Sequence, residues 1–279
     1  MNPTFYSAKI REFENFLRCE ERSAATVEKY VRDVSFFATF AGERKVEKQL
    51  ILDYKSELGA RFAVSSANSM IAALNSFLRF CGWRELCIKQ FKVQRQAYCP
   101  EEKELTRAEY VRLLTAATAR KNQKLNLIIQ TICATGIRVS ELQYITVEAV
   151  CHGEATVHCK GKVRRIFIVQ ALKKKLLRYV KEQQIRTGPV FVTKQGRPIS
   201  RYSVWKEMKA LCAQANVLPA KVFPHNLRHL FARTFYGVEK DIAKLADLLG
   251  HASINTTRIY IVTTGAEHKK KMEHMRLII

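Results

Sequence analysis

At 279 residues, the chain is long enough for two ordinary domains with separate cores, and its 47% hydrophobic and 26% charged residues are those of a water-soluble globular protein. The outlier is charge: 48 Lys and Arg against 25 Asp and Glu give a formal +23, an excess that self-repels unless a polyanion is the partner. No N-terminal apolar stretch reads as a signal peptide and no run reaches the ~18 apolar residues of a membrane span, so no membrane and a cytoplasmic location are expected.

Residues 1–95 read as helices only. Ile10, Phe13 and Leu17 make one apolar face. After Ser23, Val27, Tyr30, Val31, Val34 and Phe37 recur at helical spacing, residues 47–58 form a shorter helix, and Ile71, Leu74, Leu78 and Cys81 form the seam of a fourth. Four helices in under a hundred residues predict a compact bundle without clustered chemistry, a binding module. Residues 96–104, with Pro100, lose the periodicity and read as a linker.

Residues 105–263 carry most of the charge. Residues 1–100 hold 16 basic and 11 acidic side chains, net +5, whereas 101–279 hold 32 and 14, net +18. Thr106 is placed to cap a helix over 107–117. An apolar helix over 124–135 ends at Gly136, and the segment ATGIRVSELQYI follows, with Arg138 and Glu141 three apart. Residues 155–159 and 164–169 read as two strands around the basic tip Lys160-Gly161-Lys162-Val163, a hairpin and the one β signal in the chain. The fold class expected is therefore mainly α with a small antiparallel sheet. A basic helix over 171–186, a short strand over 189–192 and a helix over 200–215 with Trp205 complete this stretch. Cys151-His152 and His158-Cys159 resemble zinc ligands, but neighbours on a strand point to opposite faces, so no metal site is assigned. The eight cysteines, without a CxxC pair, fit reduced thiols.

The densest chemistry lies between Pro224 and Tyr260. In PHNLRHLFARTFY, His225 and Arg228 project from one helix face, with Leu227, Leu230 and Phe231 turned inward. A second helix over 241–249 stops at Gly250, His251 follows in a turn, and Ser253 is placed to cap a last helix carrying Tyr260. Groups able to bind or protonate a phosphate, together with one phenol, are thus set on rigid helix ends. That set points to phosphoryl transfer without a metal or other cofactor. Residues 264–279 space Met272, Met275 and Ile279 at helical intervals, a terminal helix that packs either on its own domain or on a neighbouring subunit.

TGIRVSEL, CKGKVRR, HNLRH and LGHASINTTRIY, in this order, resemble the tyrosine recombinases, or phage-integrase family, and the bundle resembles the family's core-binding domain. The short layout is similar to the Xer-type members and to mobile-element integrases. The resemblance implies that Arg138, Lys160, His225, Arg228, His251 and Tyr260 are catalytic, with Glu141 supporting Arg138. It implies groove contacts from the helices carrying Thr26, Lys29 and Arg32 and carrying Asn68 and Arg79, and further DNA contacts from Lys162 and Arg164. It also implies two domains clamping double-stranded DNA, a dimer per site and a homotetramer on two sites. Strands are then exchanged through a 3′-phosphotyrosyl link and a Holliday junction in the nucleoid, accessory DNA-bending proteins being possible partners. Leu230 departs from the family, where threonine is common. A phenol ordinarily ionises near pH ~10, so Tyr260 needs a base, for which His225 is the candidate, and Lys160 is the candidate acid for the leaving oxygen. Two rivals share parts of this pattern. A helix-turn-helix regulator would use residues 241–260 to bind DNA without joining it, and a type IB topoisomerase would cut singly and relax.

Overall fold

The computed structural model describes residues 3–93, 103–159, 162–193, 195–251, 253–261 and 273–274, and the chain divides into two compact units, Met1–Arg95 and Gln96–Ile279. The first unit contains α1 (Pro3–Cys19), α2 (Ala24–Ala41), α3 (Lys48–Arg61) and α4 (Val64–Phe80). Its apolar seams close as the periodicity predicts. Phe13, Leu17, Val27, Val34 and Phe77 form one cluster, and Phe37, Ile51, Tyr54, Ile71, Leu74 and Leu78 are the centre of another. Two asparagines of α4 tie down the chain that follows it. Asn75 exchanges hydrogen bonds of 2.8 and 3.0 Å with the Ile88 backbone, and Asn68 exchanges bonds of 2.9 and 2.8 Å with that of Phe91. Asn68, expected to contact DNA, is thus spent on its own chain, because an exposed-looking polar residue on a helix can equally satisfy backbone groups of a passing segment.

The second unit begins with α5 (Arg107–Ala119), opened by a full capping box in which Thr106 accepts from the Glu109 amide and Glu109 accepts from that of Thr106. Then come α6 (Gln123–Thr135), a 3₁₀ turn (Val139–Tyr144), α7 (Val147–His152), and strands β1 (Glu154–Cys159) and β2 (Lys162–Phe167). The strands pair antiparallel from Glu154 with Phe167 to Cys159 with Lys162, turning Ala155, Val157 and Ile166 to the core. Helices α8 (Gln170–Glu182), α9 (Arg201–Ala210), α10 (Cys212–Ala215), α11 (Pro224–Glu239), α12 (Ile242–Leu249) and α13 (Ile254–Ile261) follow. The core is built on α6, whose Leu125, Ile128, Ile129 and Ile132 are buried against α11, α5 and α8.

Three expectations change. The helix over 200–215 divides at Leu211, whose amide bonds to Met208 three residues back and tightens the turn. No ladder forms over 189–192. Thr146 with Pro189 and Val192 with Pro198 are isolated bridges, since a proline at each has no N–H to extend the pairing. Helix α7 was not anticipated. Thr146 caps it by accepting from the Ala149 amide, and Gly153 ends it in the left-handed conformation. Of the linker 96–104, only Lys103 and Glu104 are among the described residues, and the terminal Met272, Met275 and Ile279 lie outside them.

Candidate active site

The site is assembled where α6 ends against α11. Gly136 closes α6 with φ +64°, and a Cβ there would stand 2.5 Å from the Phe231 ring of α11. Only glycine allows both the left-handed turn and the close approach. The chain then turns through buried Ile137 and presents Arg138 at the head of the 3₁₀ turn. Glu141, one turn on and 3% exposed, accepts from the Arg138 amide at 2.9 Å and from its guanidinium at 2.8 Å. Burial alone would raise the Glu141 carboxyl, but the Arg138 amide and guanidinium and then Arg164 outweigh it and hold it below the usual carboxylate range. Its second oxygen accepts from Arg164, whose guanidinium also donates to the Leu248 carbonyl at 2.6 Å. Arg164 was expected on DNA. It lies instead with its side chain 10% exposed, because strand alternation turns it toward Glu141. Gly250 makes room for it: a Cβ there would meet Arg164 Cδ at 2.6 Å.

Arg228 comes from the middle of the first half of α11 and is 1% exposed. It donates to the Gly136 and Leu249 carbonyls, the C-terminal carbonyl ends of α6 and α12, and to His251 Nε2 at 3.1 Å. Helix C-termini are negative ends, so these carbonyls hold a guanidinium without neutralising it. Burial and then Arg138 push it down to about 10, still charged at neutral pH. One carboxylate stands against three guanidiniums, and positive charge is left unspent in the cleft.

The imidazoles are neutral. An arginine only donates, so His251 Nε2 accepts, and its proton lies on Nδ1, directed to Thr257 Oγ1 at 2.8 Å. Burial, then Arg228, Arg138 and Arg164, push His251 down to about 4. His225 opens to solvent and sets Nε2 3.1 Å from the Tyr260 hydroxyl. Partial desolvation, then Arg228 and Arg138, lower it from the ordinary histidine value. It therefore stands unprotonated, as an acceptor for the phenolic proton. Tyr260 itself is 6% exposed, packed with Ala232, Leu245 and Leu249, and the Arg228 guanidinium carbon is 5.7 Å from its ring centre.

One residue without a role in the sequence reading also belongs to the site: the His229 ring stacks on that of Tyr260 at 4.3 Å and 19°, and meets His225 edge-on at 5.0 Å. Burial, then His225 and Arg228, push it down to about 4. The available signal was spacing: four residues beyond His225, it lies one turn along the same face. Of the other expected site groups, Arg138, Glu141, His225, Arg228, His251 and Tyr260 are brought together. Lys160 and the Lys162 side chain lie outside the described residues; of the strands beside them, β1 is tied by Tyr144, which donates to the His158 carbonyl at 3.0 Å.

A basic helical frame that gathers arginines, imidazoles and a buried phenol defines the tyrosine-recombinase class. The chain belongs to the phage integrase family: the model of that family matches residues 103–266, and that of the phage integrase N-terminal SAM-like domain matches residues 10–85. It is 28% identical over 283 residues to the tyrosine recombinase XerA of Pyrococcus furiosus, covering 99% of this chain and 96% of that one. To XerD of Staphylococcus saprophyticus it is 27% identical, covering 94% and 96%. In fold it is similar to a lambda integrase dimer bound to a core site, with a TM-score of 0.75 at 17% identity over 93% of this chain and 96% of that one. A pre-cleavage complex of XerH with its difH substrate gives 0.68 at 18% identity over 94% and 83%. Among the described residues no helix is long and apolar enough to cross a membrane.

Proposed function

We propose that this chain is a site-specific DNA recombinase, whose Tyr260 becomes joined to a DNA 3′-phosphate. The observation that carries this is the 3.1 Å approach of the Tyr260 hydroxyl to a neutral His225, beside two guanidiniums. Tyr260 Oη attacks phosphorus as the bond to the 5′-oxygen breaks. The phenolic proton passes to His225 Nε2, and the departing 5′-oxygen takes a proton from Lys160. Arg138 and Arg228 bind the non-bridging oxygens, whose negative charge grows as phosphorus becomes five-coordinate. His251 joins them by passing to its other tautomer, with the Thr257 hydroxyl then donating to Nδ1. Strand joining reverses these steps with a different 5′-hydroxyl. The phosphotyrosyl ester conserves the energy of the broken bond, so no ATP is required. The guanidiniums take the role of a metal clamp, consistent with Glu141 being committed to two arginines.

The natural assembly is a tetramer on two sites, a dimer per site, resolving through a Holliday junction. DNA-bending proteins assist it in the nucleoid. In the first unit, Thr26, Lys29, Arg32 and Arg79 contact DNA. Lys29 and Arg32 on α2 and the serines at the start of α4 line one groove of about 570 Å³, which supports placing the contacts there. A regulator that used α13 as a recognition helix would expose Tyr260, whose burial among histidines argues against that use.

Sites are to be captured from random duplex DNA as SDS-resistant adducts and sequenced. Wild-type protein should form the adduct on such a site, and Tyr260→Phe should bind it equally and form none. Equal adduct from both proteins would place the nucleophile elsewhere. Binding should weaken steeply with salt, and a log–log slope near zero would remove DNA-phosphate contact from the proposal.

A further inference from the structure

Beside Arg138, His225 and Arg228 the surface opens into a cleft of about 760 Å³. Much of the rest of its lining is unlike a phosphate site: Ile137, Val139, Phe223, Tyr202 and Trp205, with Arg201 among them. Tyr202 is 67% and Trp205 40% exposed, and their rings stack at 5.9 Å and 29°. Local structure fixes them there. Ser200 caps α9 by accepting from the Ser203 amide at 3.0 Å, which sets Arg201 and Tyr202 in the first turn and Trp205 one turn on. Lys209, 5.7 Å from the centre of the Trp205 ring, leaves Tyr202 with the more open aromatic surface. Two large aromatics left in water on a strongly basic unit need a flat apolar occupant to offset their exposure. Continuity with the arginine pair says what that occupant is attached to.

Given the recombinase function proposed above, we infer that this cleft receives one unstacked nucleobase, that of a nucleotide joined by the scissile phosphate. The base lies against Tyr202, backed by Trp205, and Arg201 takes the next phosphate of the same strand. A base that stays stacked in a duplex offers a side chain only its edge, in a groove, which fits neither ring face, whereas a base turned out of the stack offers a π-face that any of the four bases carries. The site is accordingly tolerant of sequence. It holds the strand beside the bond being cut, and it favours DNA that is already weakly stacked there.

The test is a coupling experiment on a captured site, with single-turnover adduct formation as the readout. The DNA carries either its natural base or an abasic nucleotide on each side of the scissile phosphate in turn. Base–aromatic stacking of ~1–3 kcal/mol corresponds to a loss of about 5- to 150-fold. Tyr202→Ala, at an exposed position that does not endanger folding, should lose adduct in that range on natural DNA, and Tyr202→Phe should restore it. On DNA abasic at one of the two positions, wild type and Tyr202→Ala should differ by less than twofold. An equal loss on natural DNA and on both abasic DNAs, or no loss at all, overturns the inference. So does a loss without base coupling that accompanies fewer protomers on DNA in sedimentation, which would assign the cleft to a second copy of the chain. Wild-type adduct is scored in the same reactions. Its absence would refute recombinase function, whereas adduct without coupling refutes only the base site.

Discussion

The two arginines of the site are held by opposite means. Arg138 stands on a 3₁₀ turn, with a side chain 34% exposed and a buried carboxylate behind it. Arg228 lies 1% exposed inside α11, with two helix-terminal carbonyls and an imidazole as partners. One is steered by a charge and reaches into the cleft. The other is a structural rivet between α6, α11 and α12 that also faces the reacting group. The difference teaches that equivalent guanidiniums in chemistry are unequal in folding. Substituting them should separate the two roles.

Arg228→Ala carries the largest expected effect. Loss of one preorganised charge donor costs about 10²–10³ in rate, so adduct formation should fall at least that far. Two buried carbonyls also lose their donors, at roughly 1–3 kcal/mol each, so urea unfolding should show a large loss of stability. Arg138→Ala should lose adduct to a similar extent, yet Glu141 keeps Arg164, and the unfolding midpoint should shift far less. Equal destabilisation by both variants would erase the distinction. Glu141→Gln comes next. Removing the carboxylate leaves Arg164 buried without its charge partner, at a cost of about 3–5 kcal/mol, while the slackened Arg138 should reduce adduct formation by about tenfold.

These two anchorages were not equally legible in the sequence. Arg138 with Glu141, and His225 with Arg228, are local spacings that a helix period makes readable, and Gly136, Gly250, Thr106 and Ser253 marked their element ends correctly. The hidden partners are those far away in the chain. Nothing near Arg164 shows that it reaches Glu141, 23 residues back, and Leu248, 84 ahead, so its charge suggested a surface role. Asn68 likewise meets a backbone 23 residues away. Leu211 and Pro189 illustrate a different limit: hydrophobic periodicity continues through a tightened turn, and the β-favouring Val190, Phe191 and Val192 outweighed the proline that opens their run and the one, Pro198, that they meet. His229 was readable by spacing but not by chemistry, since its role depends on the ring brought in by α13.

His229 therefore offers a smaller effect that tests how the nucleophile is held. With a neutral ring stacked on Tyr260 at 4.3 Å, it acts as a platform for the phenol and is not a proton carrier. His229→Ala should slow adduct formation by about tenfold through a loosened Tyr260, the scale at which slight misplacement acts. His229→Phe keeps a flat ring and should recover most of the rate, with an unchanged pH profile. If Phe were as poor as Ala, the imidazole nitrogens would be engaged in the chemistry.

The same residue predicts the mildest effect, on stability against pH. Its folded value of about 4 lies below the ~6.5 of an unfolded histidine. Between those values the unfolded chain binds the proton and the folded chain does not, so stability is fully present above pH ~6.5 and declines as pH falls toward 4. His251, pushed to about 4, adds to the same slope, and His225, lowered as well, adds in the same direction. Glu141, whose carboxyl is lowered, loses its contribution only at more acid pH, from the ordinary carboxylate range downward. The decline between pH 6.5 and 5 thus belongs to the imidazoles. Urea unfolding of wild type should show it, and His229→Phe should flatten it by at most about 1 kcal/mol per pH unit. An unaltered slope in that variant would mean that His229 charges in place, which is incompatible with an uncharged stack against the tyrosine ring.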